Sequence, residues 1–203
     1  MNWAATARPP GQLRCYKKGL ISTVINTNRG EVVPVSMYSV SVPVFIQHLT
    51  ALSDILDKAA AYAEQKKVDP AVLLGMRFYP DMYSMGRQVR EACRHPSRVC
   101  GMLADVEGPA VGKDDATIPE LKAEIARVVD FLKGLKPSQI DGTETKEIVV
   151  KGSSGERKYN GQGLLLHHSL PNFYFHCTTA YDLLRHAGLD LVKRDFMGTP
   201  YKP

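Results

Sequence analysis

The chain has 203 residues, 44% of them apolar and 23% charged, an ordinary globular composition that suits one domain of about 165 residues plus an appendage. No apolar run approaches the roughly 18 residues needed to span a bilayer, which argues against a membrane partner. The net charge of +5 sits mostly in the first 36 residues, where Arg8, Arg14, Lys17, Lys18 and Arg29 oppose Glu31 alone; the near-neutral remainder counts against nucleic acid as a partner.

Residues 1–36 show no sustained periodicity and contain the breaker Pro9-Pro10-Gly11. They are basic and acid-poor, which is compatible with an organellar transit segment, but they lack a clear amphipathic arginine face. The plainer reading is an upstream in-frame extension with Met37 as the original start. The run Ile21–Ile25 has strand character if something pairs with it. Cys15, Cys93, Cys100 and Cys177 form no C-x-x-C pair, and the last three read as small buried apolar residues, so a reducing, cytoplasmic setting is expected.

From Ser41 the pattern turns helical. Val44, Phe45, Leu49, Leu52, Ile55, Leu56, Ala59 and Ala63 recur at steps of three and four, with Pro43 in the first turn, and the helix is expected to reach about Lys67. Asp69-Pro70 starts a short helix that Tyr79-Pro80 interrupts. Asp81 is expected to open the second long helix, whose face is Met82, Met85, Val89, Ala92, Cys93, Val99, Cys100 and Leu103. Pro96 lies inside that pattern and should kink or split it near His95.

After a polar loop, Thr117-Ile118-Pro119-Glu120 has the form of a capping box. The third helix it starts carries Leu121, Ile125, Val128, Val129 and Leu132. Glu147–Lys151, the turn residues Gly152-Ser153-Ser154-Gly155 and the return Arg157–Tyr159 read as a β-hairpin. The last helix begins near Gln162 and ends before Gly188, with a kink or short break expected at Pro171. Four long amphipathic helices with a small hairpin before the last predict an all-α, antiparallel four-helix bundle over residues 37–203.

The segment Leu170-Pro171-Asn172-Phe173-Tyr174-Phe175-His176, with Thr178-Thr179-Ala180-Tyr181 and Leu184-Arg185-His186, is distinctive, as is the closing Lys193-Arg194-Asp195-Phe196. Together with Pro80-Asp81-Met82 and Ser41-Val42-Pro43-Val44-Phe45, these residues resemble a domain-of-unknown-function family placed with the DinB/YfiT-like metalloenzymes. The resemblance runs from about Met37 to Gly198. It implies the bundle fold, a homodimer, and a pocket at one end of the bundle. In metal-binding relatives that pocket takes one histidine from the second helix and an H-x-x-x-H pair from the last. This chain departs from that pattern: Asn172 and Ala180 stand four residues on either side of His176, and Gln88 stands near the second-helix position.

His176 is therefore the central candidate, a proton shuttle in a mostly apolar setting; the plainer reading is a hydrogen-bonded core histidine. Asp81 is its expected orienter, or else only a helix N-cap. Asn172 and Gln88 are candidate polar anchors for a small-molecule ligand, though Asn172 has an equal role in satisfying backbone groups opened by Pro171. Tyr181 and Arg185, spaced i,i+4, form a candidate carboxylate clamp, and His48 a candidate at the pocket edge. His167 and His168 are adjacent, point about 100° apart on a helix, and make a poor chelating pair. No H-E-x-x-H, phosphate loop or G-x-S-x-G element is present.

The leading expectation is thus metal-independent acid–base chemistry on a small molecule, of isomerase, lyase or cyclase type, with no cofactor. The alternatives are a divalent metal held by His176 with carboxylate or amide ligands, and a non-catalytic ligand-binding or dimerisation module.

Overall fold

The computed structural model describes residues 35–112, 116–152 and 155–202. The strand expected at Ile21–Ile25 and all but the last two residues of the segment 1–36, read as a transit segment or extension, lie outside them. The fold begins promptly after that: Met37 and Tyr38 are already buried, and the Tyr38 amide donates to Asp141 at 2.8 Å.

Four long helices make the bundle: α1 (Val42–Lys66), α3 (Met85–Ala104), α4 (Ile118–Gly134) and α7 (Leu170–His186). Short helices α2 (Pro70–Gly75), α5 (Pro137–Ile140), α6 (Gly161–Gly163) and α8 (Lys193–Met197) join or buttress them. α3 packs most extensively against α7, α1 against α4, and α3 against α4. The apolar stripes read from the sequence meet at the centre, with Phe45, Leu49, Leu56, Val89, Cys93, Leu132, Phe173 and Leu184 fully enclosed. Burial on that scale supplies the main driving force, at about 25 cal/mol per Å² of apolar surface removed from water.

Local signals explain most boundaries. Asp69 caps α2 through the Ala71 amide at 2.9 Å, and Thr117 and Glu120 close the capping box of α4, Glu120 accepting from the Thr117 amide at 2.7 Å. The hairpin pairs β1 (Glu147–Gly152) with β2 (Gly155–Asn160) in antiparallel register, Ile148 opposite Tyr159 and Val150 opposite Arg157. Ile148 and Val150 turn inward while Val149 is exposed, the period-2 alternation of a sheet covered on one face.

Three boundaries differ from expectation. The second long helix starts at Met85, not Asp81: the Met82 amide turns back to Tyr79 and the Met85 amide bonds the Met76 carbonyl at 2.8 Å, so the chain must double back before helical bonding can start. Asp81 consequently lies exposed in the preceding turn rather than at an N-cap. Pro96 neither splits nor ends α3, which continues to Ala104. The break expected at Pro171 takes a specific form: Leu164–Ser169 is a π-helical turn that runs straight into α7. A wider turn ahead of a proline accommodates the amide that cannot bond backward.

The loop after α3 is seated on that helix. Ser97 donates to the Pro109 carbonyl at 2.7 Å, and a Cβ built on Gly108 would collide with the Ser97 carbonyl oxygen. Because the obstacle is backbone, no rotamer change relieves it. Gly108→Ala is expected to cost about 1–3 kcal/mol as an overpacked contact, read as a lower midpoint in thermal denaturation by circular dichroism; an unchanged midpoint would show that the loop shifts freely off α3.

Candidate functional site

Several of the bundle's buried polar side chains gather at the α3–α7 seam. Glu91 and His95 stand one turn apart on α3, and His176 faces them from α7; one ligating atom from each lies within 4.8 Å of the others. Glu91 and His176 are buried and His95 is half-buried. The His95 and His176 rings are nearly parallel at 5.6 Å, the Tyr83 ring is nearly parallel to His176 at 6.4 Å, and Phe175 meets it edge-on.

One hydrogen bond sets the chemistry of this group. The Gln88 side chain donates from Nε2 to the Tyr83 carbonyl at 3.2 Å, which fixes its Oε1 toward Nδ1 of His176 at 2.6 Å. An amide oxygen only accepts, so His176 Nδ1 carries the proton and Nε2 keeps a bare lone pair. Glu91 is anchored as firmly: its Oε1 accepts from Arg87 Nε at 2.7 Å and from Arg94 Nη1 at 3.1 Å. Arg94 is in turn fastened to the Gly112 carbonyl at 2.8 Å, and the Gly112 amide donates to buried Glu124.

Burial pushes the His95 imidazole down to about 3, with repulsion from His176, His168, Arg94 and Arg98 adding to it. Burial also lowers His176; Glu91 pulls the other way, and Arg87 and Arg94 reinforce the fall. Both rings are therefore neutral near pH 7. Neutral imidazoles beside a carboxylate suit either a metal ion or a proton acceptor.

Of the residues singled out from the sequence, the structure brings Gln88 and His176 together. Asp81 takes no part in the seam. Asn172 instead donates its side-chain amide to the His168 carbonyl at 2.6 Å, the local backbone role. Tyr181 packs its ring on Phe196, and Arg185 donates to the Leu189 carbonyl and pairs with Asp190, so the two serve the C-terminal segment and make no clamp. His48 turns toward α8, its Nδ1 3.3 Å from the Phe196 carbonyl and its ring against Tyr174 and Phe196. These positions share helix faces with the core, but their side chains are claimed by nearer partners.

Glu91 and His95 escaped the sequence reading. Their E-x-x-x-H spacing on one helix was the available signal, but the H-x-x-x-H expectation directed attention to the last helix. His168 belongs here as well: although unsuited to chelate with His167, it contacts His95 at 5.8 Å and Tyr159 at 5.5 Å. A larger cavity, about 870 Å³, lies between α1, α2 and the start of α4; two of its charged groups, Asp57 and Lys122, pair with each other.

Residues 37–197 match the model of DUF1993, a domain of unknown function. The chain is also similar to the crystal structure of a DinB family member protein from Shewanella denitrificans, at 36% identity and a TM-score of 0.74, over 82% of this chain and 94% of that one. No curated protein matches it.

The Gln88 bond makes a direct spectroscopic prediction. Long-range ¹H–¹⁵N correlation should find His176 as the Nδ1–H tautomer, and Gln88→Leu should move it toward Nε2–H while costing about 1–3 kcal/mol of stability for the orphaned donor. An unaltered tautomer in the variant would mean that something other than Gln88 holds the ring.

Proposed function

The chain belongs to the DUF1993 family and has the DinB-like fold, and on that premise we propose that it processes a small molecule at the α3–α7 seam with a divalent ion held by Glu91, His95 and His176. The observation that carries this reading is the convergence of two neutral imidazoles and one carboxylate, with Gln88 holding His176 so that its bare Nε2 is the available donor. Two imidazoles with one carboxylate is a donor set found in catalytic zinc sites and in non-haem iron(II) sites. Donors bonded at about 2.0–2.2 Å to one tetrahedral ion stand about 3.4 Å apart, inside the 4.8 Å within which all three ligating atoms lie.

Such an ion, when bound, supplies Lewis acidity to a substrate oxygen. The protein's own contribution is orientation. Gln88 fixes the tautomer and angle of His176, and Arg87 and Arg94 hold one oxygen of Glu91 and leave the other for a further partner. Tyr83 and Phe175, both exposed at the edge of His176, offer apolar surface to an incoming ligand.

A second reading has its own support. Glu91 already receives two guanidinium groups on a single oxygen, which weakens its pull on a cation. In that reading the bare Nε2 of His176 takes a proton directly, in metal-independent isomerase-, lyase- or cyclase-type chemistry.

Elemental analysis of tag-free protein equilibrated with Zn²⁺, Mn²⁺ or Co²⁺ and then desalted separates the two. About one ion per chain is expected for the unaltered protein, with affinity falling at least tenfold in His95→Ala, His176→Ala and Glu91→Gln variants whose circular dichroism is unchanged. No retained ion with any of the three metals would discard the metal-dependent reading and leave the proton-transfer one.

A further inference from the structure

We infer that the cavity between α3, the π-helical turn and β1 is an oxyanion subsite, taking the carboxylate or phosphate group of the small molecule that reacts at the seam; the inference rests on the reading of that seam as the reacting site. The cavity is about 140 Å³ and shares Glu91 and His95 with the metal-ligating group, so a molecule held in it lies against the reacting residues. Taking about 30 Å³ per water, it admits the volume of four or five waters: an anionic group on a short carbon stem.

Its walls divide by chemistry. Val99, Met102, Val150 and Leu164 make an apolar side that suits the stem. Arg94, Arg98, His168 and Ser169 make the polar side. Glu91, the single acidic residue among those lining it, is already neutralised by Arg87 and Arg94, which leaves the cavity positive.

Arg94 and Arg98 differ in what they have left to offer. Arg94 is committed at both terminal nitrogens, to Glu91 and to Gly112. Arg98 uses Nη2 on the Lys151 carbonyl at 3.0 Å, which pins its guanidinium to the hairpin, and keeps its other donors for a ligand. A planar guanidinium fixed in place is the group best suited to bind a carboxylate or phosphate through paired hydrogen bonds. Ser169, a buried residue, lines the same wall and brings a hydroxyl to it. The hairpin thereby gains a purpose: it carries the Lys151 carbonyl that orients Arg98 and the Val150 side chain that closes the cavity.

The test uses the full chain freed of metal by chelation, so that its outcome is independent of whether an ion binds. Inorganic phosphate, acetate and chloride are titrated at constant ionic strength while the ring-proton signals of His168 and His95 are followed by NMR, with His168→Gln to assign the first. Saturable shifts with phosphate or acetate and none with chloride are expected, and the tighter of the two identifies the anion class. Arg98→Gln, a change at an exposed position, should weaken binding about tenfold, and Arg98→Lys should restore part of it because charge returns without the fork. Shifts that rise linearly, that chloride reproduces, or that Arg98→Gln leaves at the original affinity overturn the subsite. A protein that binds oxyanions yet retains no metal refutes the metal-dependent reading alone; one that retains metal but binds no oxyanion refutes the subsite alone.

Discussion

The hydrogen bond between the Gln88 side chain and His176 determines what the α3–α7 seam can do. Two nitrogens make an imidazole ambiguous, and a buried ring with neither fixed has no defined donor face. Gln88 removes the ambiguity because its own nitrogen is committed to the Tyr83 carbonyl, so its oxygen is what His176 meets. The Tyr83 carbonyl lies just before the first turn of α3, and the start of that helix is set by the backbone bond from Met85 to Met76. The protonation pattern of the site is thus tied to where a helix begins.

Charge around the seam is held in a chain of partners rather than in isolated pairs. Arg87 and Arg94 converge on Glu91, Arg94 reaches the Gly112 carbonyl, the Gly112 amide reaches Glu124, and Arg90 lies 3.7 Å from the other Glu124 oxygen. Carboxylates at the burial of Glu91 and Glu124 persist only with such compensation, since removing one partner leaves a charge stranded in low dielectric. The loop after α3 closes this chain through Gly112, and it sits tightly because Gly108 allows backbone to meet backbone. A surface loop therefore helps to position a carboxylate at the site.

The π-helical turn before Pro171 has a comparable structural consequence. The turn ends just past His168, which lies against His95, as does His176 eight residues on in α7. It also puts Leu164 and Ser169 into the wall of the neighbouring cavity. Expanded turns of this kind often mark functional positions, because they redirect side chains at a local cost in helix regularity.

The sequence by itself determined the bundle. Apolar residues at steps of three and four, the capping box at Thr117 and Glu120, the Gly/Ser turn of the hairpin and the distinctive last helix were enough for the fold and the family, because each reports on local geometry or on a contiguous stretch of chain. It also pointed to His176 and Gln88 as polar residues on apolar faces. It gave no means of deciding the other candidates: Asn172, Tyr181, Arg185 and His48 each had a pocket role and a plainer one, and each is held by a partner in another turn or element. Only the tertiary structure decided that Asp81 falls in an exposed turn while Glu91 and His95 meet His176, since which face of α3 opposes α7 depends on packing across 80 residues of sequence. Spacing within one helix fixes what points the same way, whereas a site assembled from two helices exists only once they pack.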